Sequence, residues 1–115
     1  MLEPDDEIFN GITRKIKNFD VVIDPYDLTY MWVSKKFCKI IGYDPEELIG
    51  EQIFKVIDRD KNDTRKIEFD MLGDESGTKR EHSMKRKDGT TIKLMAQDNY
   101  IEINSKPYLV GTIIG

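Results

Sequence analysis

The sequence predicts an α+β fold: one antiparallel sheet of five strands with short helices over one face. Three observations lead there. Residues 19–33 are rich in β-branched and aromatic side chains and are broken by a turn. Four helical pieces then crowd into about forty residues, from Ser34 to Leu72. From Thr78 onward the apolar pattern switches to a period of two. Strands at both ends with helices between them are the segregated order of an α+β domain, not the alternation of a parallel α/β one.

Residues 5–18 read as an amphipathic helix with Ile8, Phe9, Ile12 and Ile16 on one stripe. A stripe does not say whose surface covers it, so packing on the chain's own domain and packing on a second copy both stay open. Phe19–Ile23 is a strand, Asp24-Pro25-Tyr26-Asp27 a turn, and Leu28–Val33 a second strand, together a hairpin.

Ser34 is a good N-cap for a helix carrying Phe37, Cys38, Ile40 and Ile41, and Gly42 stops it in the left-handed conformation. Asp44 caps the next helix, with Pro45 at N1, Glu47 completing a capping box, Tyr43 placed to staple onto Leu48, and Gly50 at the end. Gln52–Ile57 makes a short apolar turn. Asp58 or Asp60 then caps a longer helix running to Leu72, with Ile67, Phe69, Met71 and Leu72 apolar; Gly73 closes it and residues 74–77 form a loop.

Thr78–Lys87 is a polar strand that turns at Asp88-Gly89. Thr90–Asn104 alternates, with Ile92, Leu94 and Ala96 on one face, Lys93, Met95 and Gln97 on the other, and Ile101 and Ile103 extending it. Asn104-Ser105-Lys106-Pro107 is a second turn, and Tyr108–Ile114 a last strand with Gly111 inside it.

Composition narrows the function. A chain of 115 residues makes one domain with one core. Charged residues are 35% of it, both signs interspersed, and the net charge is −4. No basic stripe of the kind that binds nucleic acid is present, since Lys85-Arg86-Lys87 runs straight into Asp88 beside a turn. One cysteine cannot make an internal disulfide and fits a reducing compartment. No apolar run reaches the ~20 residues of a membrane span. Glu3, Asp5, Asp6 and Glu7 make the start too acidic for a secretory signal. A cytoplasmic protein, or the cytoplasmic part of a larger one, is expected.

Little in the chain supports catalysis. The one histidine, His82, lies in a polar strand and reads as a surface residue; Cys38 reads as a buried inert thiol. Glycines never cluster into a phosphate loop, and a single Cys and a single His distant in sequence make a poor start for a metal site.

The run Trp32-Val33-Ser34-Lys35-Lys36-Phe37-Cys38-Lys39-Ile40-Ile41-Gly42-Tyr43-Asp44-Pro45-Glu46-Glu47-Leu48-Ile49-Gly50, with Lys87-Asp88-Gly89-Thr90 and Val110-Gly111-Thr112 further on, resembles the PAS domain, the sensory box of signalling proteins such as sensor histidine kinases. The likeness covers roughly residues 19–114, so residues 1–18 are taken as a separate N-terminal helix and 19–115 as the domain. Ser34 stands where the family often has asparagine; both cap a helix. The resemblance implies a strand order of 2-1-5-4-3 and a pocket between sheet and helices.

Candidates to line that pocket are Trp32, Phe37, Cys38, Ile41, Ile53, Ile57, Ile67, Met71, Met84, Leu94, Ala96 and Val110, unless they simply fill the core. Ser34, Ser83, Gln97 and Thr112 are the polar groups that could orient a ligand. Light-sensing flavin members carry a reactive cysteine where this chain has Ile53, which argues against cysteinyl–flavin photochemistry. Residues 58–72 contain no histidine, which argues against haem held from the long helix. The cofactor stays unknown. The implied function is a non-catalytic sensory and dimerisation module of a two-component or similar signalling protein. It would pair with a second copy through Ile8, Phe9, Ile12 and Ile16 and pass its signal to an attached output domain, because the chain ends where the family continues into a linker. The alternative is a ligand-free protein–protein interaction scaffold.

Overall fold

The computed structural model describes residues 6–58 and 77–114. Five strands form one antiparallel sheet: β1 (Val21–Ile23), β2 (Tyr30–Val33), β3 (Thr78–Lys85), β4 (Thr91–Ile103) and β5 (Lys106–Ile113), in the order β2-β1-β5-β4-β3. The first and last strands are neighbours at the centre, Val22 opposite Val110. Two hairpins flank them, β1–β2 and β3–β4, with β5 paired to β4 along its whole length.

The turns follow local chemistry. Asp24 Oδ1 accepts from Tyr26 N–H at 2.9 Å, and Leu28 N–H donates to Asp24 O at 2.8 Å, closing the first hairpin. In the β3–β4 turn Gly89 takes φ +91°, and Asp88 Oδ1 accepts from Thr90 N–H at 2.9 Å. The β4–β5 turn is shorter than the four residues expected. Asn104 and Ser105 alone make it, both at positive φ, and Ile103 pairs with Lys106. Pro107 therefore lies inside β5. It is tolerated because β1 pairs β5 only at 109–111, leaving Pro107 a strand neighbour on one side.

The helical pieces also obey their end signals. α1 spans Glu7–Lys15, shorter at both ends than the stretch expected, and Asp6 caps it by accepting from Ile8 N–H at 2.8 Å. α2 spans Lys35–Ile41; Ser34 Oγ accepts from Phe37 N–H at 3.0 Å, and Gly42 ends it at φ +81°. α3 is Pro45–Leu48, and Glu47 Oε1 accepts from Asp44 N–H at 3.1 Å. Ile53–Lys55 is a single 3-10 turn. The longer helix expected up to Leu72 lies outside the described residues.

The short helices after β2 are expected over one face of the sheet, and for α1 packing on the chain's own domain or on a second copy is left open by the sequence. α2, α3 and the 3-10 turn cover one face, burying Phe37, Ile41, Leu48 and Ile53 against Tyr30, Met84, Leu94 and Leu109. α1 covers the other. Ile12 is completely buried there with Phe19, Val22, Ile101, Tyr108 and Val110, and Ile8, Phe9 and Ile16 pack around them. The physical reason is the central strands. Their backward-facing side chains are also apolar, so a second cover must be found. Phe9, Phe19 and Trp32 close that layer as a ring triad with centroids 5.1–5.2 Å apart.

Candidate functional site

Between the sheet and its α2-side cover lies a cavity of about 40 Å³. Its walls are apolar: Val21, Ile23, Tyr30, Met84, Ala96, Leu109 and Ile113 from the sheet, Phe37, Ile53 and Ile57 from the cover. At roughly 10–15 Å³ per water centre, it holds about three waters, or an organic molecule of a few atoms. That is far below the roughly 300–1,000 Å³ of pockets for drug-sized ligands.

Three polar side chains, Asp20, His82 and Asp98, join Gly111 in lining this space. His82 Nε2 and Asp98 Oδ2 are 3.0 Å apart, within hydrogen-bond distance. The reading of His82 as a surface residue is corrected: it is 6% exposed. Strand alternation explains this, since His82 is two residues before the inward-facing Met84. Asp20 Oδ1 accepts from Ser34 Oγ at 2.7 Å, and its Oδ2 accepts from Ile113 N–H at 2.8 Å. Tyr30 is fully enclosed, and burial pushes its phenol far above the ordinary range, so it stays neutral. At Gly111 a Cβ would meet Val21 Cγ2 at 2.8 Å and Asp98 Oδ1 at 3.3 Å, so glycine is what lets the strands and the carboxylate come together.

Of the residues expected to line a pocket, Phe37, Ile53, Ile57, Met84 and Ala96 meet at this cavity. Ile41 and Leu94 are buried in the same core without lining the cavity, and Cys38 packs at its margin. Trp32 and Val110 point to the opposite face, into the layer under α1. Ile67 and Met71 lie outside the described residues. Among the expected polar groups only Ser34 reaches the site, through Asp20. The acid and imidazole groups were missed, although the signal for two of them is simple. Two residues back from Met84 is His82, and two on from Ala96 is Asp98; each shares its neighbour's face.

Burial, helped by Asp44 and Glu46, raises the Cys38 thiol, which disfavours its nucleophilic thiolate. Among the described residues no group of three or more His, Cys, Asp or Glu converges on a metal position. What the site offers is an apolar wall bordered by two carboxylates and an imidazole.

The family description of the PAS domain matches residues 19–114. This chain belongs to the PAS domain family. PAS domains are generally non-catalytic sensory modules, and the sheet order seen here matches that of the solved ones. The chain is similar to the PAS domain of an HTR-like protein from Haloarcula marismortui, at 19% identity and a TM-score of 0.75 over 93% of this chain and 88% of that one. A PAS domain from Desulfitobacterium hafniense is 21% identical, with a TM-score of 0.69 over 86% and 92%. One from a two-component sensor histidine kinase is 8% identical, with a TM-score of 0.67 over 93% of each chain. No curated protein matches the chain.

Proposed function

We propose that this PAS domain senses a small molecule by admitting it to the cavity between sheet and helices, as the input module of a two-component signalling protein such as a sensor histidine kinase. The observation that carries the reading is the apolar cavity bordered by Asp20, His82 and Asp98. Asp20, His82 and Asp98 are each hydrogen-bonded within the protein, and a polar occupant would compete for those bonds. The fold likeness to a PAS domain of a sensor histidine kinase supports the signalling context. In this reading the parent is cytoplasmic at this segment, and any kinase activity belongs to an attached output domain. Among the described residues no helix is long and apolar enough to cross a membrane.

Pairing with a second copy is part of the proposal. The stripe of Ile8, Phe9, Ile12 and Ile16 already packs on the chain's own sheet. A dimer using it forms by exchange, with α1 of each copy covering the other's sheet through the same contacts.

The small volume favours a second reading, a ligand-free interaction scaffold. Native mass spectrometry of the purified protein, followed by denaturation, separates the two. A small molecule released on unfolding, or amide shifts at the cavity when small metabolites are titrated in, supports sensing. Protein that retains nothing and answers no titrant is a scaffold.

A further inference from the structure

We infer that Asp20 is the joint through which the contents of the cavity reach the end of β5, an inference that rests on the uptake proposed above. The ladder between β1 and β5 ends where Val21 pairs with Gly111. One residue earlier, Asp20 N–H still donates to Gly111 O at 2.8 Å. Beyond that point the backbone of β1 has left, and the Asp20 side chain takes its place: Oδ2 accepts from Ile113 N–H at 2.8 Å. The other oxygen accepts from Ser34 Oγ at 2.7 Å, and that Oγ caps α2 by accepting from Phe37 N–H at 3.0 Å. Asp20 is 4% exposed and lines the cavity, as do Phe37 and Ile113. One buried carboxylate therefore touches the binding space, the cap of the covering helix and the last strand.

Both its oxygens are held by donors, one from each element, so its position reports on both. An occupant that presses on Asp20, or offers it a donor, competes with Ile113 and Ser34 together. The far side of β5 is held independently, since Ile114 N–H donates to Met95 O at 2.9 Å. Loosening Asp20 therefore frees the end of β5 on one edge only, and the strand can swing about its pairing with β4.

Amide hydrogen exchange by NMR on the whole chain tests this. In Asp20→Ala the Ile113 amide should exchange at least about tenfold faster, as expected for loss of a hydrogen bond to a charged group, with Ile114 unchanged; Phe37, which keeps Ser34 Oγ as its own acceptor, should speed less. Ser34→Ala should speed Phe37 alone. If Asp20→Ala does not fold, Asp20→Asn, whose neutral amide replaces the charged acceptor of Ile113 N–H, must still speed Ile113. Xenon, a small apolar occupant, should alter Ile113 exchange in the unsubstituted protein and leave it unaltered in the Asp20 variant, while shifting the Val21 and Ile57 methyls in both. Unchanged Ile113 protection in both variants overturns the joint, and so does xenon that reaches those methyls without touching Ile113. Exclusion of xenon refutes uptake instead, and the exchange pattern of the variants then decides the joint alone.

Discussion

At the scale of single residues, Gly111 carries the sharpest constraint. It sits opposite Val21 on β1 and Asp98 on β4, and a methyl group there meets side-chain atoms on both sides. The closer contact, 2.8 Å to Val21 Cγ2, is one that real Cβ atoms do not make, and Val21 is confined in the sheet. Gly111→Ala should therefore destabilise the domain by about 1–3 kcal/mol, the usual cost of overpacking. Chemical denaturation of the two proteins checks it; equal midpoints would mean that Val21 and Asp98 give way freely. The same position explains what was hard to read in the sequence. A glycine inside an apolar strand signals a close approach, but only the pairing register says that Val21 and Asp98 are what approach it. His82 and Asp98 were hidden for a similar reason. Their polar identity suggested exposure, and only the strand's face, fixed by Met84 and Ala96, overrides that.

At the scale of elements, the helix ends were the most legible part of the chain. Ser34, Gly42, Asp44, Pro45 and Glu47 act at short range, so their residue types nearly determine the local conformation. What α1 covers was not legible, because an apolar stripe records a period and not a destination. Between elements, Glu47 is the tie to watch. Its carboxylate holds α3 to the β3–β4 turn through Lys87, with Nζ 2.8 Å from Oε2, and both Lys55 and Lys87 lie over the Tyr43 ring. Its pKa is lowered chiefly by the hydrogen bond from Lys87, then by the backbone bond from Asp44. A lowered folded-state pKa means the tie stabilises above the ordinary glutamate range and is lost as pH falls through the folded value. The pair is exposed, so the effect on stability is small and screened by salt. The expected outcome is a Glu47 carboxyl NMR titration with its midpoint below that of ordinary glutamate, moving upward in Lys87→Ala. A midpoint unmoved by that substitution would assign the shift to the helix end instead.

At the scale of the whole molecule, the two faces of the sheet are used differently, and this bears on assembly. One face keeps a cavity with ionisable groups on its wall; the other is filled by α1 and a triad of rings. The filled face is covered by a helix that lies ahead of the residues the family description matches and joins β1 through Ile16–Asp20. In the proposed exchange α1 would cover a neighbour's sheet through the contacts it makes with its own, so monomer and dimer would differ little in what they bury. Concentration then sets the balance. The proposed pairing requires that the full chain sediment as a dimer at high concentration and that Ile12→Asp abolish the dimer, because Ile12 is the fully buried member of the stripe. Removal of residues 1–18 should do the same, at the cost of uncovering Phe19, Val22, Tyr108 and Val110, so the shorter chain should also unfold at a lower temperature. A full chain that stays monomeric across the concentration range would end the exchange and leave α1 as cover alone. In that case the lower melting temperature of the shortened chain should remain, since it depends only on the buried contacts of α1 and not on which copy supplies them.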